Sequence, residues 1–379
     1  VSSDGRLTFK IESSNGFKSP YFDLPPNVFP KNDAVAAAAA LLIGRGASIE
    51  FDFPVSSDVL ERVDMHCNRE GLTGSKVQLL PSQSKSPTVL TNKFSLAFSG
   101  GFDSLTARDI LPPDTPLVSL DFGGRFARER PMFEIFGSNV ICTNLVEIGL
   151  NRASWSFMAI GNLLLRDSLK ADNISFGTVT EARPKYFRFA EQVQPGPSTM
   201  SELTGMPVFN PVLGLTEVAT AQYALERFPH LIPKIFRSVA NPGEEKSYRK
   251  SLLLRAAAYR TESALQLDAA SPPEIPIVWG TNTSLDFLAV YLIKFVGLEA
   301  VQMSYRDPIP EAILRLSEKL RLTFYAKANS NFYGNLPRGL QGRLYERLSA
   351  MGIGPYESRD FSEFAQIIAA LGALSNPQR

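Results

Sequence analysis

The stretch from Phe94 to Leu111, FSLAFSGGFDSLTARDIL, constrains this chain more than any other. Its apolar opening, Phe94–Phe98, reads as a buried strand. The run breaks at Ser99-Gly100-Gly101-Phe102-Asp103-Ser104, and a helical pattern with Leu105, Ala107, Ile110 and Leu111 follows. A strand feeding a glycine turn that opens a helix builds an anion site. Glycines let the backbone come close to a phosphate, and the first N–H groups of the helix point at it. Ser99 and Ser104 add hydroxyl donors. Asp103 adds a carboxylate, which makes sense beside phosphates when a cation such as Mg²⁺ sits between them. No Gly-Lys-Ser/Thr follows, so this is not the Walker loop.

The 379 residues suffice for two or three domains and a sizeable core. Lys and Arg number 39 against 38 Asp and Glu, so no overall field favours nucleic acid or an anionic membrane. Two cysteines, Cys67 and Cys142, exclude a disulfide scaffold and a four-thiolate zinc site, and suit the cytosol. The longest apolar run, Ala34 to Ile43, is too short to span a bilayer and lacks the basic front of a signal peptide. A cytoplasmic protein without a membrane partner is therefore expected.

Three segments are expected. Residues 1–90 read as a small α+β domain, with strand-like alternation at Arg6–Glu12 and Ser48–Phe53 and helices at Ala34–Leu42 and Ser57–Cys67. Pro81-Ser-Gln-Ser-Lys-Ser-Pro87 reads as a linker. Residues 91–268 alternate strand and helix. Strands are expected at Phe94–Phe98, Leu117–Asp121, Asn139–Thr143 and Asn173–Gly177. Helices are expected after the glycine turn and at Arg128–Phe136, Ser154–Ser168, Thr216–Phe228 and Tyr248–Leu267. That order predicts an α/β, doubly wound parallel sheet with ligands beyond the carboxyl ends of the strands. Gln192–Met206 reads as a surface loop or lid. Residues 269–379 read as mostly helical, with a short strand at Ile275–Trp279.

SGGxDS in this setting resembles the pyrophosphate-binding loop of the PP-loop ATP pyrophosphatase superfamily. Its members cleave ATP between the α and β phosphates, attach AMP to a substrate oxygen and replace it with a nucleophile. Within it the chain looks most like the 7-cyano-7-deazaguanine synthase branch. That family's Asp-Tyr-Gly-Gln strand end is similar to Asp121-Phe122-Gly123-Gly124, followed here by Arg125, Arg128 and Glu129. Asn151-Arg152 reverses a family Arg-Asn pair, and Phe176-Gly-Thr-Val-Thr-Glu181 resembles its Gly-Val-Asn-x-x-Asp strand end. Phe209-Asn-Pro-Val-Leu-Gly-Leu-Thr-Glu217 is similar to a Pro-Leu segment that leads into a helix. The likeness spans Phe94 to Arg260. It breaks at Glu245–Arg255, where Glu245, Tyr248 and Ser251 stand in place of the family's zinc-binding cysteines, so no zinc is expected.

The resemblance and the residues together imply ATP at Ser99, Gly100, Gly101, Phe102, Asp103 and Ser104, and Mg²⁺ on Asp103 and Glu181. Asp121 reads either as a ligand of ribose or of a substrate amine, or as the cap of the next segment. Asp121 or Glu181 is the candidate base for the second step. Arg183, Lys185 and Arg188 are candidates to neutralise pyrophosphate, or a solvated face. The expected activity is AMP-forming C–N ligation on a small-molecule substrate rather than a nucleic acid, with a homodimer admitted. The alternatives are sulfur transfer of the tRNA-thiolation type through Cys142, and a nucleotide-binding module without turnover. Phe324, Tyr325, Phe332 and Tyr333 read as a satellite core or as a stacking surface for bases, the core being favoured.

Overall fold

The computed structural model describes residues 5–13, 16–43, 49, 51–69, 93–152, 155–183, 186–187, 199–263 and 270–375. Its strands are β1 (Arg6–Thr8), β2 (Ile11–Ser13), β3 (Gly16–Lys18), β4 (Tyr21–Asp23), β5 (Phe94–Ala97), β6 (Leu117–Asp121), β7 (Asn139–Thr143), β8 (Asn173–Phe176) and β9 (Val208–Phe209). Seven of them form one sheet in the order β1-β4-β7-β6-β5-β8-β9, while β2 and β3 pair as a separate hairpin. The strands from β7 to β9 run parallel, and β4 joins β7 antiparallel. The protein is thus α/β with a mostly parallel sheet. Counted from β5, the parallel strands lie in the order 3-2-1-4-5, which reverses between β5 and β8. In open α/β sheets ligands bind beyond the carboxyl ends of the strands at such a reversal.

The chain divides into two compact units that cut across the three expected segments. The first comprises Val1–Ser99, Asp114–Phe176 and Gly196–Phe209 and contains the whole sheet. Its helices are α1 (Asn32–Leu42), α2 (Ser57–Arg69), α4 (Arg130–Phe136), α5 (Ile160–Leu164), α6 (Arg166–Leu169) and α7 (Thr199–Thr204). Every residue of β6 is buried, as expected of a strand covered on both faces. Val118 and Leu120 point at α5, whose Gly161 is needed for the approach. A Cβ there would lie 2.9 Å from Val118 Cγ1 and 3.2 Å from Leu120 Cδ2. The alanine-rich α1 packs on α2, α5 and α7 within the same core.

The second unit comprises Gly100–Pro113, Gly177–Pro195 and Asn210–Arg379. It holds α3 (Phe102–Ile110), α8 (Glu217–Arg227), α9 (Ile232–Val239), α10 (Glu245–Arg260), α11 (Thr283–Phe295), α12 (Leu298–Gln302), α13 (Glu311–Lys319), α14 (Arg338–Ala350) and α15 (Ser358–Ser375). Here α8 packs on both α3 and α10. A separate core gathers Phe287, Tyr291, Phe324, Tyr325 and Phe364. The residues after β8 and after β9 are laced together. The Asn210 side chain brackets the Thr178 peptide, and Thr180 donates through its backbone to Leu215 O at 2.9 Å and through its hydroxyl to Leu213 O at 2.7 Å.

Several local expectations change. Residues 1–90 are not a self-contained sheet unit: β2 and β3 pair with each other, but β1 and β4 extend the main sheet. The Arg6–Glu12 stretch splits into β1 and β2, and residues 51–53 form a bend rather than a strand. The helix expected at Arg128–Phe136 is preceded by a 3-10 turn, Gly124–Glu129, and starts where Pro131 suits a first turn. The one expected at Ser154–Ser168 is a 3-10 turn, Trp155–Ala159, followed by α5 and α6. In the expected loop Gln192–Met206, residues 199–204 are helical, and Met200 and Leu203 are buried in the first core, which fits no lid. Its earlier part, and the 81–87 linker, lie outside the described residues. Ile275–Trp279 makes a single bridge, from Ile277 to Tyr305, instead of a strand.

Gly214 gives a test of the second unit. A Cβ at this position would sit 2.4 Å from the carbonyl oxygen of Asn329, whose own amide donates to Gly214 O at 2.8 Å. Gly214→Ala is expected to cost about 1–3 kcal/mol of stability through overpacking. Urea denaturation checks it, and an unchanged midpoint contradicts the packing described.

Candidate functional site

The turn between β5 and α3 is made by its glycines. Gly100 has φ +76°, a left-handed value that favours glycine. Gly101 is the N-cap of α3 and has no side chain to cap it. The amides of Gly101, Phe102 and Asp103 donate no hydrogen bond among the described residues. Ser104 turns inward, its hydroxyl donating to Gly101 O at 3.1 Å, while Phe102 is 1% exposed and anchors the turn. Ser99 lies on the exposed strand end in the first unit. Gly177, the residue after β8, presses on this first helical turn. A Cβ there would stand 2.6 Å from Ser104 Cα and 2.7 Å from Ser104 N.

Two carboxylates lie beside the turn, and α8 holds one oxygen of each. Thr220 donates its hydroxyl to Asp103 Oδ1 at 2.5 Å. The backbone amide of Glu217 donates to Glu181 Oε1 at 3.0 Å. Asp103 Oδ2 takes no hydrogen bond among the described residues, and Glu181 Oε2 is buried without a partner. Glu181 is almost wholly buried. Burial drives its carboxyl well above the ordinary carboxylate range, and the nearby charges of Glu217 and Asp103 add to the shift. Ser284, in the first turn of α11, donates to the Glu181 carbonyl.

A cationic face on α10 completes the set. Lys246, Arg249 and Lys250 fall on one side of the helix, at positions three and four apart. Arg249 and Lys250 are buried and both pair with the Glu217 carboxylate, Lys250 at 3.0 Å. Arg249 also binds Glu245 at 3.0 Å, and the Lys250 ammonium lies 5.4 Å from the centroid of the Phe102 ring. Burial alone would raise Glu217. Arg249 and Lys250 outweigh it and hold the carboxyl down at about 2.

No three His, Cys, Asp or Glu side chains converge among the described residues. Two pinned carboxylates with one unclaimed oxygen each, one of them buried, suit instead an ion that keeps water and phosphate oxygens in its shell. Mg²⁺ is such an ion.

Other expected residues have other tasks. Asp121 belongs to the first unit, where it accepts from Gly123 N at 2.9 Å and from Arg130 Nε at 2.7 Å. This is the turn-capping use of Asp121. Cys142 lies 3.9 Å from the same carboxylate, and burial, Asp121 and Asp23 push its thiol up, away from the thiolate that sulfur transfer requires. Arg183 is described and lies near the Tyr186 phenol, whereas Lys185 and Arg188 fall outside the described residues. In the stretch where the resembled family places thiolates, Tyr248 donates to Ala300 O at 2.9 Å and Ser251 to Tyr248 O at 2.6 Å. Phe324, Tyr325, Phe332 and Tyr333 are all buried, which removes them as a base-stacking surface. Trp155 is 41% exposed and rests on Phe176.

Sequence reasoning missed Glu217, Thr220, Lys246, Arg249 and Lys250. A signal existed. Thr216 and Thr220 are one helical turn apart around a glutamate, and the three cations of α10 share one face by their spacing. Neither spacing says which other helix lies alongside. No family model, curated protein or solved structure matches the chain. No helix among the described residues is long and apolar enough to cross a membrane.

The Glu217 pairs predict an acid response. The folded carboxyl titrates at about 2 against an ordinary 4.5, so its contribution to stability is complete above 4.5 and is lost as pH falls towards 2. Glu217→Gln leaves Lys250 buried without its counter-charge and is expected to cost about 3–5 kcal/mol at neutral pH. The wild type and the variant should then converge in stability between the two pH values. Urea midpoints measured across that range check this, and parallel curves contradict it.

Proposed function

We propose that this chain is an ATP-dependent, AMP-forming synthetase of the PP-loop type. The observation that carries the reading is the α3 turn with open amides beside Asp103 and Glu181, each held by one oxygen and unclaimed at the other. The 3-2-1-4-5 strand order adds support, because the segments that leave β5 and β8 at its reversal are the ones that meet at Gly177 and Ser104.

The amides of Gly101, Phe102 and Asp103 receive the β and γ phosphate oxygens, with the α3 dipole adding to their pull. Asp103 and Glu181 are the residues that hold Mg²⁺, which supplies positive charge to the phosphates. A substrate carboxylate or amide oxygen attacks the α-phosphorus in line. A P–O bond forms there, and the bond to the α–β bridging oxygen breaks. Charge then gathers on the departing pyrophosphate. Arg249 and Lys250 are already claimed by Glu217, so Lys246, exposed on the same face and within reach of the Asp103 charge, is the cation of α10 suited to meet it. In the second step a nitrogen nucleophile attacks the activated carbon. The C–O bond to AMP breaks and a proton is lost. Positioning and fixed electrostatics supply the acceleration, as in phosphoryl-transfer sites generally.

A pyrophosphate-release assay over a panel of small carboxylates with ammonium tests the reading. Asp103→Asn is expected to lower the rate by about 10²-fold or more. A wild type that binds no Mg·ATP, or an Asp103→Asn variant with undiminished turnover, overturns it.

A further inference from the structure

An aspartate in the first turn of a helix has an easy alternative to binding a cation. Short polar side chains at this end bend back to accept from nearby backbone amides, satisfying the donors that the helix leaves open. Asp103 sits in the first turn of α3, directly among the amides of the candidate phosphate cradle. If it bonded to them it would fill the cradle with its own charge. It does not. Its Oδ1 is taken by Thr220, whose Oγ1 lies 2.5 Å away, against 3.3 Å to its other neighbour, Glu217 O. A hydroxyl has one proton to give, and the shorter contact assigns it to the carboxylate. Thr220 is fully buried on a helix that packs along α3, so this donor is fixed in place rather than shared with water.

We propose that Thr220 is a positioning residue that holds Asp103 away from the amides of its own helix, so that the α3 turn stays open to phosphate and Oδ2 stays available to a divalent cation. This rests on the Mg·ATP reading of the turn. It adds a requirement that the SGGFDS motif does not contain, since the restraining hydroxyl comes from a helix more than a hundred residues further on. The same stretch of α8 pins Glu181 through the Glu217 amide, so one short segment sets both carboxylates.

Calorimetric titration with Mg·ATP, and with ATP in excess chelator, tests the proposal on the whole chain. Thr220→Val removes the donor while keeping the shape, and Thr220→Ser keeps the donor. Thr220→Val is expected to bind Mg·ATP about tenfold more weakly, the scale of one hydrogen bond to a charged group. Thr220→Ser should stay within about twofold of wild type. In an Asp103→Ala background, Thr220→Val should have no further effect, which separates action through Asp103 from a general packing defect. Thr220→Ala replaces the valine variant if that does not fold. Unchanged affinity in Thr220→Val overturns the proposal, as does equal loss in Thr220→Ser or an undiminished effect in the Asp103→Ala background. A wild type that binds neither form of ATP brings down the underlying functional reading, a result distinct from these.

Discussion

Glu217 carries a negative charge into nearly dry surroundings and is answered there by Arg249 and Lys250. Much of the second unit's order follows from this. The pairing fixes α10 against the head of α8. The amide of the same residue fixes Glu181, and the next turn fixes Asp103. Thr216, one position earlier, caps α8 and ties it to the Tyr325 carbonyl in the aromatic core. A buried ionic cluster of this kind is weak as a source of net stability, because desolvation offsets most of the attraction. Its effect is geometric. Charges that must find one another in a low dielectric tolerate few alternative arrangements.

Against that background, the balance between the two carboxylates is informative. Glu217 is held charged by two cations, while Glu181, a few ångströms away through the shared amide, is driven toward its neutral form by burial and by its anionic neighbours. Groups pushed apart in this way are characteristic of sites that handle charge. The cationic face occupies the same helical stretch, Glu245–Arg255, in which the resembled family would carry metal-binding thiolates. Here ordinary hydrogen bonds from Tyr248 and Ser251 brace that stretch.

The four central strands were readable because their apolar runs are bounded by turns and glycines, and β5 to β8 match them within a residue. The glycine turn was readable for the same local reason. What escaped was whatever depends on a partner distant in the chain. The three-residue strands β1 and β4 have too little alternation to reveal that they extend the main sheet. Asp121 offered a ligand and a cap equally, and the bonds from Arg130 and the Gly123 amide, which show the cap, depend on how the chain folds back. Thr220 looks like any buried helical threonine until α3 is laid beside it. Gly161 likewise answers to the sheet, since α5 comes within touching distance of Val118 there.

The antiparallel pairing of β4 with β7 bears on how this protein can be dissected. The leading residues supply an outer border to the sheet, and that border is short and guarded by charge. Arg6 bonds the Asp23 carboxylate and lies 4.0 Å from the centre of the Tyr21 ring. Such guarding discourages a neighbouring molecule from adding a strand. A fragment trimmed to start at the glycine-loop strand would bare the hydrogen-bonding rim of β7 together with the apolar surface that α1 now shields. It would gain a sticky flank without gaining an independent module.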